Sequence, residues 1–235
     1  MVIKGCFIYS TTMTEHKNID VLTIQPSLKS MAYLNSKLKR FIDILGALIG
    51  ILICIPIFLI AALTVSLIDK VPILYFQERF GLHGNPFTII KLRTLRIYEK
   101  HLEGKPRSIH KKPDYETTRT GKFWRIHSVD EIPQFVLVLK GEMSLIGHRP
   151  FPVYYLPHLR EMDNMSQEQF EHYLNVISKY KPGMSSLSSV HGRGNLTMHE
   201  KFEYDLMYAR DVSFLYDMKL LLRTLYVVFT CEGAK

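Results

Sequence analysis

Residues 44–68 read ILGALIGILICIPIFLIAALTVSLI, 25 consecutive positions without a formal charge and with a proline, Pro56, near the middle. Roughly 20 helical residues span the hydrocarbon core of a bilayer, so the length fits a membrane element. Pro56 shapes how that element is read. Proline removes a backbone donor and presses its ring on the carbonyl one turn earlier, which kinks or breaks a helix. Two half-helices of roughly 12 residues each are too short to cross, so they would enter the bilayer and turn back to the same face. A straight spanning helix is the alternative, because proline is tolerated where neighbours re-satisfy the freed carbonyl. The core helix of a soluble domain is a weaker reading. So is a cleaved leader, since the run begins at residue 44 and no small-residue cleavage motif follows it.

The flanks set an orientation. Lys37, Lys39 and Arg40 immediately precede the run, and basic residues beside a membrane segment mark its cytoplasmic end. The chain of 235 residues carries a formal net charge of +8, with a second basic group at Lys105, Arg107, Lys111 and Lys112. That balance suits an anionic lipid surface and phosphate-bearing substrates. Nucleic acid is not an expected partner, for no zinc-finger spacing, RNA-binding signature or helix-turn-helix pattern occurs. Cys6, Cys54 and Cys231 are scattered, which argues for a reducing compartment and against a disulfide framework or a structural zinc site.

Three parts are expected: an N-terminal arm, 1–35; a membrane-inserted segment, 36–70; and one compact domain, 71–235, large enough for its own core. Within the arm, residues 21–24 read as a short strand. Residues 73–76 and 87–92 read as strands joined by a turn at 81–86, a short β-hairpin. Residues 98–118 read as loop. A helix is expected over 128–140, closed by Gly141. Residues 151–157 begin a surface excursion, and 166–180 form a helix capped by Ser166. Residues 181–195, rich in Gly and Ser, read as loop, and 200–229 as helix in one or two pieces. Between 214 and 229 the only charges are Asp217, Lys219 and Arg223. That face could pack in the core, the favoured reading, or lie in a membrane interface. The fold class is therefore α/β, mainly helical with a short hairpin.

Chemistry concentrates around Ser128-Val129-Asp130-Glu131. Ser followed three residues later by Glu is a helix capping box, and acids in a first turn suit the helix dipole. On this segment alone the structural reading is the stronger. Arg125 lies just upstream, and Glu142, His148 and Arg149 follow the same helix. Gln77-Glu78-Arg79 and Lys91-Leu92-Arg93 add three more cations. Arginine forks suit phosphate oxygens, and magnesium is commonly held by one or two carboxylates plus substrate phosphates.

The segments KRFID (39–43), QERFG (77–81), FTIIKLRTL (87–95), SVDEIPQ (128–134), LKGEMSLIG (139–147) with Arg149-Pro150, KPG (181–183) and Gly192-Arg193, together with the apolar run broken at Pro56, resemble the bacterial sugar transferase family. The likeness is to its small monotopic polyprenyl-phosphate phosphoglycosyl transferases and runs from residue 37 to 224. It implies a re-entrant helix-break-helix anchor in one leaflet of the bacterial inner membrane, with the catalytic domain facing the cytoplasm. It implies transfer of a sugar 1-phosphate from a UDP-sugar to undecaprenyl phosphate, with UMP released. By the family pattern Asp130 is the nucleophile, forming a covalent phosphosugar intermediate, and Glu131 holds Mg2+. Arg125, Arg149 and Arg193 are the expected phosphate contacts. Lys91 and Arg93 either join them or, with Gln77 and Arg79, frame the site or hold the anchor. Pro56 and Glu142 are expected structural positions. Nucleotide sugar, polyprenyl phosphate and membrane lipids are the expected partners, with a second copy of the chain or downstream glycosyltransferases beside them.

Three departures from the family pattern stand out. Ile55 precedes Pro56 where the family commonly has serine. His148 replaces the first proline of a Pro-Arg-Pro run. After Pro182-Gly183, the segment MSSLSSV (184–190) lacks a glycine, an aromatic and an amide. This last change bears on donor recognition. It is also the one support for a second reading, a membrane-bound scaffold or sugar-nucleotide-binding relative without turnover. A third reading, a single-pass protein with an unrelated basic domain, would leave the motif series as coincidence.

Overall fold

The structure, a computed structural model, describes residues 21–97, 115–155, 165–192 and 195–233. Cys6, most of the arm, the basic group at 105–112, the tail of the 151–157 excursion and Arg193 lie outside the described residues. The fold is mainly helical, with three two-stranded sheets and one long apolar helix.

Two helices open the described chain, α1 (Leu28–Leu34) and α2 (Lys37–Thr64). Ser27 and Ser36 cap them, each hydroxyl accepting a backbone N–H in the first turn. Helical structure runs unbroken through Pro56 and continues as a π-helical turn, Val65–Asp69, until Lys70 turns left-handed with φ 54°. At Pro56, therefore, the backbone stays helical, and the expected break in secondary structure is not seen. The stretch Lys37–Asp69 is long and apolar enough to cross a membrane. Its middle is bare of protein: Leu52 is 76 % exposed and Ile53 69 %.

Strands β1 (Leu74–Phe80) and β2 (Pro86–Leu92) form the expected hairpin, in register from Leu74 opposite Leu92 to Phe80 opposite Pro86. Strands β3 (Leu95–Ile97) and β4 (Tyr115–Thr117) pair antiparallel, so the end of the expected 98–118 loop is strand. Helix α3 (Gly121–Ile126) leads to a 3-10 turn, Val129–Glu131, and then to α4 (Gln134–Lys140). One helix from 128 is therefore corrected to a turn and a shorter helix. Ser128 is left-handed with φ 57° and makes no capping bond. The reason is Pro133: without an N–H it cannot continue a helix begun at 128, but it starts α4 well. Gly141, with φ 90°, ends α4 as expected, in the left-handed conformation that glycine adopts at no steric cost.

Strand β5 (Ser144–Ile146) pairs in parallel with β6 (Gly183–Ser185). Between them lies α5 (Gln167–Ile177), opened by a full capping box at Ser166. After β6 come α6 (Leu187–His191), α7 (Met198–Asp211) and α8 (Phe214–Thr230). Residues 181–195 thus hold a strand and a helical turn rather than loop alone. Long-range pairing with β5, not local propensity, makes that strand. The expected strand at 21–24 is a 3-10 turn, Val21–Thr23. The arm boundary at 35 falls inside packed structure, since Ile24 is in the core and Tyr33 donates to Asp217 at 2.9 Å.

The main core centres on Leu137, Met143, Ile146, Tyr173, Ile177, Phe202 and Leu206. Tyr173 stacks on Phe202 with ring centroids 4.1 Å apart, and Phe151 meets both edge-on. Helix α8 buries Asp217, Leu220 and Val227 but exposes Leu215, Leu222, Leu225, Tyr226 and Phe229. The favoured core reading therefore holds for one face only.

Both ends of α2 are tied to this body. Near its start, Lys39 Nζ lies 2.7 Å from Asp217 and 3.3 Å from Asp43, and donates to the Ile146 carbonyl. Asp43 accepts from Ser144 Oγ and Leu145 N. Arg40 donates to the carbonyls of Val138 and Leu139 at the end of α4, where a cation is favoured. Gly50 permits close approach: a Cβ there would stand 2.4 Å from the Phe135 ring. At the far end, Trp124 Nε1 donates to Thr64, and Asp69 accepts from Thr120 N and Oγ1.

Candidate active site

The turn that carries the two adjacent acids rests on the far end of α2. Val129 is buried with Ala61, Val65, Leu92 and Trp124. An apolar side chain one residue before the acids therefore locks the turn to the apolar helix and to β2. The left-handed Ser128 bends the chain into that turn.

Asp130 is 9 % exposed. Burial pushes its carboxyl up to about 6, against the charge of Lys91; the neighbouring Glu131 adds to the rise and Arg125 opposes it. At neutral pH the anion still dominates. Glu131 is half-buried and paired with Lys91 of β2, Oε1 to Nζ 2.6 Å.

Beside this turn a cleft is lined by Arg79, Lys91, Glu131, Gln134, Arg149, Met184, Ser186 and Ser189, among others. Asp130 adjoins it through Glu131 but is not part of the lining. The cleft joins the hairpin, the acid turn, α4, the segment after β5, and the β6–α6 segment. The cleft is open to solvent and its volume is small, about 30 Å³.

Of the expected site residues, Lys91, Arg149 and Glu131 meet in this cleft, and Arg125 acts on Asp130 from beside it. Arg79, expected to frame the site, is in its wall. Gln77 supports it, accepting from Arg79 Nη2 at 2.5 Å and donating to Tyr154. Arg93 is not in the lining, and its contacts are those of a framing residue. Its guanidinium donates to the Leu74 carbonyl and lies over the Tyr75 ring, bracing the hairpin base. Glu142 lines a separate groove with Phe76, His83, Phe87 and Lys140. Arg193 lies outside the described residues.

Sequence pattern does not single out Gln134, Ser186 or Ser189. The only signal for Gln134 is its place after Glu131 and Pro133. The departure at His148 turns out to lie beneath the site. His148 is fully buried edge-on against Tyr180, with Nδ1 3.2 Å from the Arg149 carbonyl, and burial pushes its pKa down to about 4. Next to it, Arg149 N donates to buried Asp205, which also accepts from Tyr173, and burial pushes that carboxyl up to about 7. The changed 184–190 segment does reach the cleft. Ser186 there caps α6, with its Oγ 2.8 Å from Ser189 Oγ.

Magnesium asks for one or two carboxylates, the other ligands being water and substrate oxygens. Asp130 and Glu131 beside a cationic cleft fit that demand. Among the described residues no cluster of three or more His, Cys, Asp or Glu could hold a metal by itself.

The chain is 35 % identical over 224 residues to a galactosyl transferase, CpsE, of Streptococcus agalactiae serotype III, covering 89 % of this chain and 46 % of that protein. It is 30 % identical over 241 residues to a UDP-glucose:undecaprenyl-phosphate glucose-1-phosphate transferase of Klebsiella pneumoniae, covering 100 % of this chain and 49 % of that one. It is 34 % identical over 197 residues to the uncharacterized sugar transferase EpsL of Bacillus subtilis, covering 83 % and 89 %. The chain thus spans about half the length of the first two. The family described as bacterial sugar transferase matches residues 34–231, which hold α2, the hairpin, the acid turn and every residue of the cleft, and the chain belongs to that family.

Proposed function

We propose that this chain is a phosphoglycosyl transferase that moves a sugar 1-phosphate from a UDP-sugar to undecaprenyl phosphate. The observation that carries the reading is one convergence. Asp130-Glu131, Lys91 and Arg149 come from separate segments to one cationic cleft, and the acid turn rests on the apolar helix itself. The relatives' names supply the substrates.

In the proposed reaction a carboxylate oxygen of Asp130 attacks the sugar-proximal phosphorus of the donor. The bond from that phosphorus to the bridging oxygen breaks, and UMP leaves with the oxygen. A phosphate oxygen of the lipid then attacks the same phosphorus. The Asp130–phosphorus bond breaks, restoring the carboxylate and giving the lipid diphosphosugar. Arg149, Lys91 and Arg125 hold the phosphate charges, with Arg193 as a further expected contact. Glu131 would hold magnesium, which when bound neutralises charge on the phosphates.

The same reading makes α2 a re-entrant anchor. Thirty-three residues of straight helix, Lys37–Asp69, would be about 50 Å long and would carry the two ends to opposite faces of the bilayer. Yet Lys39 and Asp43 are buried on α8 and β5, while Thr64 and Asp69 bond α3 and Thr120 of the same body. A body that holds both ends on one side favours a bare middle that dips into one leaflet and returns. Pro56, which leaves one carbonyl without its helical donor, suits the bend. The exposed apolar face of α8 suits contact with the same surface. The basic flank at Lys37–Arg40 supports a cytoplasmic orientation of the domain.

Two measurements test the proposal. Nanodisc-held protein with magnesium, undecaprenyl phosphate and a panel of UDP-sugars is expected to release UMP beyond one equivalent per protein only when the lipid phosphate is present. No UMP from any donor by folded, membrane-bound protein would support the scaffold reading instead. For the anchor, single cysteines at exposed Lys37 and Lys70, in a chain without its own cysteines, are expected to label from the same side. Labelling from opposite sides would show a spanning helix.

A further inference from the structure

Two donors in the cleft wall have no partner among the described residues. Gln134 is 2 % exposed, and its Nε2 is buried without an acceptor. Arg79 Nε is likewise buried and unpartnered, although its two terminal nitrogens donate to the Pro150 carbonyl and to Gln77. A buried donor without an acceptor costs more than a typical hydrogen bond contributes, so such groups are seldom kept without a use.

The charges nearby point the same way. Lys91 is neutralised by Glu131. Arg79 and Arg149 line the same cleft, and among the described residues neither has a carboxylate within ion-pair distance. Burial, and then the charge of Arg149, lower the Arg79 pKa to about 10. Two guanidinium groups with no carboxylate within ion-pair distance among the described residues and a neutral amide donor in one small cleft match phosphate oxygens. A sugar ring or a base calls for less charge.

We infer that Gln134 Nε2 and Arg79 Nε donate to oxygens of the donor's diphosphate, which makes Gln134 a substrate-binding residue and Arg79 more than a frame. The inference rests on the phosphoglycosyl transferase reading for the identity of the anion, but its own evidence is the pair of orphaned donors. Gln134 lies one helical turn after Glu131, so an oxygen held there would be held beside the acid turn.

The probe is inorganic pyrophosphate with magnesium, titrated calorimetrically into the full chain in nanodiscs. The variants are Gln134→Leu, which removes the donor, and Gln134→Glu, which keeps the shape and sets a carboxylate against the anion. Wild type is expected to bind. Gln134→Leu should weaken binding about 10- to 100-fold, the value of one hydrogen bond to a charged group, and Gln134→Glu should weaken it further. Unfolding midpoints should stay near that of wild type. Wild-type affinity in both variants overturns the assignment. Failure of both variants to fold also overturns it, marking Gln134 as a packing residue. UMP release by wild type is scored separately. UMP release with unchanged pyrophosphate binding in the variants sinks the Gln134 assignment alone. Neither UMP release nor pyrophosphate binding in wild type sinks both readings.

Discussion

Asp130→Asn is expected to abolish UMP release, by more than about 10³-fold, while leaving the fold intact. Asparagine matches aspartate in size, and among the described residues Asp130 makes no ion pair that the change would strand. The turn is held by Val129 against Ala61 and Val65 and by Pro133 at the start of α4, and both contacts survive the substitution. What is lost is the anionic oxygen. Burial already pushes this carboxyl up to about 6, so its charge is kept at some cost, with Lys91 and Arg125 offsetting part of it. A group kept charged in a buried place next to a cleft is the usual mark of a reacting group. Mass spectrometry supplies an independent readout. Wild type incubated with donor and no lipid phosphate should gain the mass of a phosphosugar, and the Asp130→Asn protein should not. Activity within tenfold of wild type, with the same adduct, would remove Asp130 from the nucleophile's role.

The second large effect is structural. Lys39→Met is expected to cost about 3–5 kcal/mol of stability, the range for stripping one partner from a buried ion pair. Lys39 is 4 % exposed, Asp43 2 % and Asp217 0 %. One ammonium serves both carboxylates, at 3.3 Å and 2.7 Å, and its loss leaves two buried acids facing each other. Hydroxyl donors remain, Ser144 on Asp43 and Tyr33 and Tyr208 on Asp217, but they cannot replace a positive charge. Adding Asp217→Asn to Lys39→Met should recover part of the loss, since the stranded charge is halved; residues of one network are strongly non-additive. Denaturant unfolding in nanodiscs reads both effects. A drop below about 1 kcal/mol for Lys39→Met, the level of an exposed pair, would show that the network does not hold the anchor. The position matters because this cluster joins α1, α2, β5 and α8 at a single point, and so fixes where the apolar helix leaves the domain.

Much of the site was legible in the chain. Asp130, Glu131, Lys91 and Arg149 could be named from motif and chemistry, and the structure brings the last three into one cleft wall with the first beside it. One reading failed for a local reason. Ser128 followed by Glu131 has the spacing of a capping box, yet Pro133 interrupts the helix that the box would have opened. Arg93 is as basic as Lys91 and two residues away. On a strand that spacing puts both on one face, so only the end of the hairpin, where Arg93 finds the Leu74 carbonyl and the Tyr75 ring, separates their roles. Gln134 and Ser189 lay inside quoted segments, but no pattern gave either a role; what distinguishes them is the neighbours brought by distant segments.

The sequence by itself determined the elements whose signals are local. These are the apolar run with Pro56, the hairpin across 81–86, the Ser166 cap and the Gly141 stop. Each depends on side chains within a few residues, through period, capping or a required backbone angle. The tertiary structure alone decided that residues 183–185 are strand, that the end of the arm is core, that Val129 is pinned to α2, and that both ends of α2 close on one body. Those outcomes depend on pairings across tens to more than a hundred residues, such as Asp43 with Ser144 and Lys39 with Asp217. Their free energy comes from burying charges and donors together, and no window along the chain contains both partners.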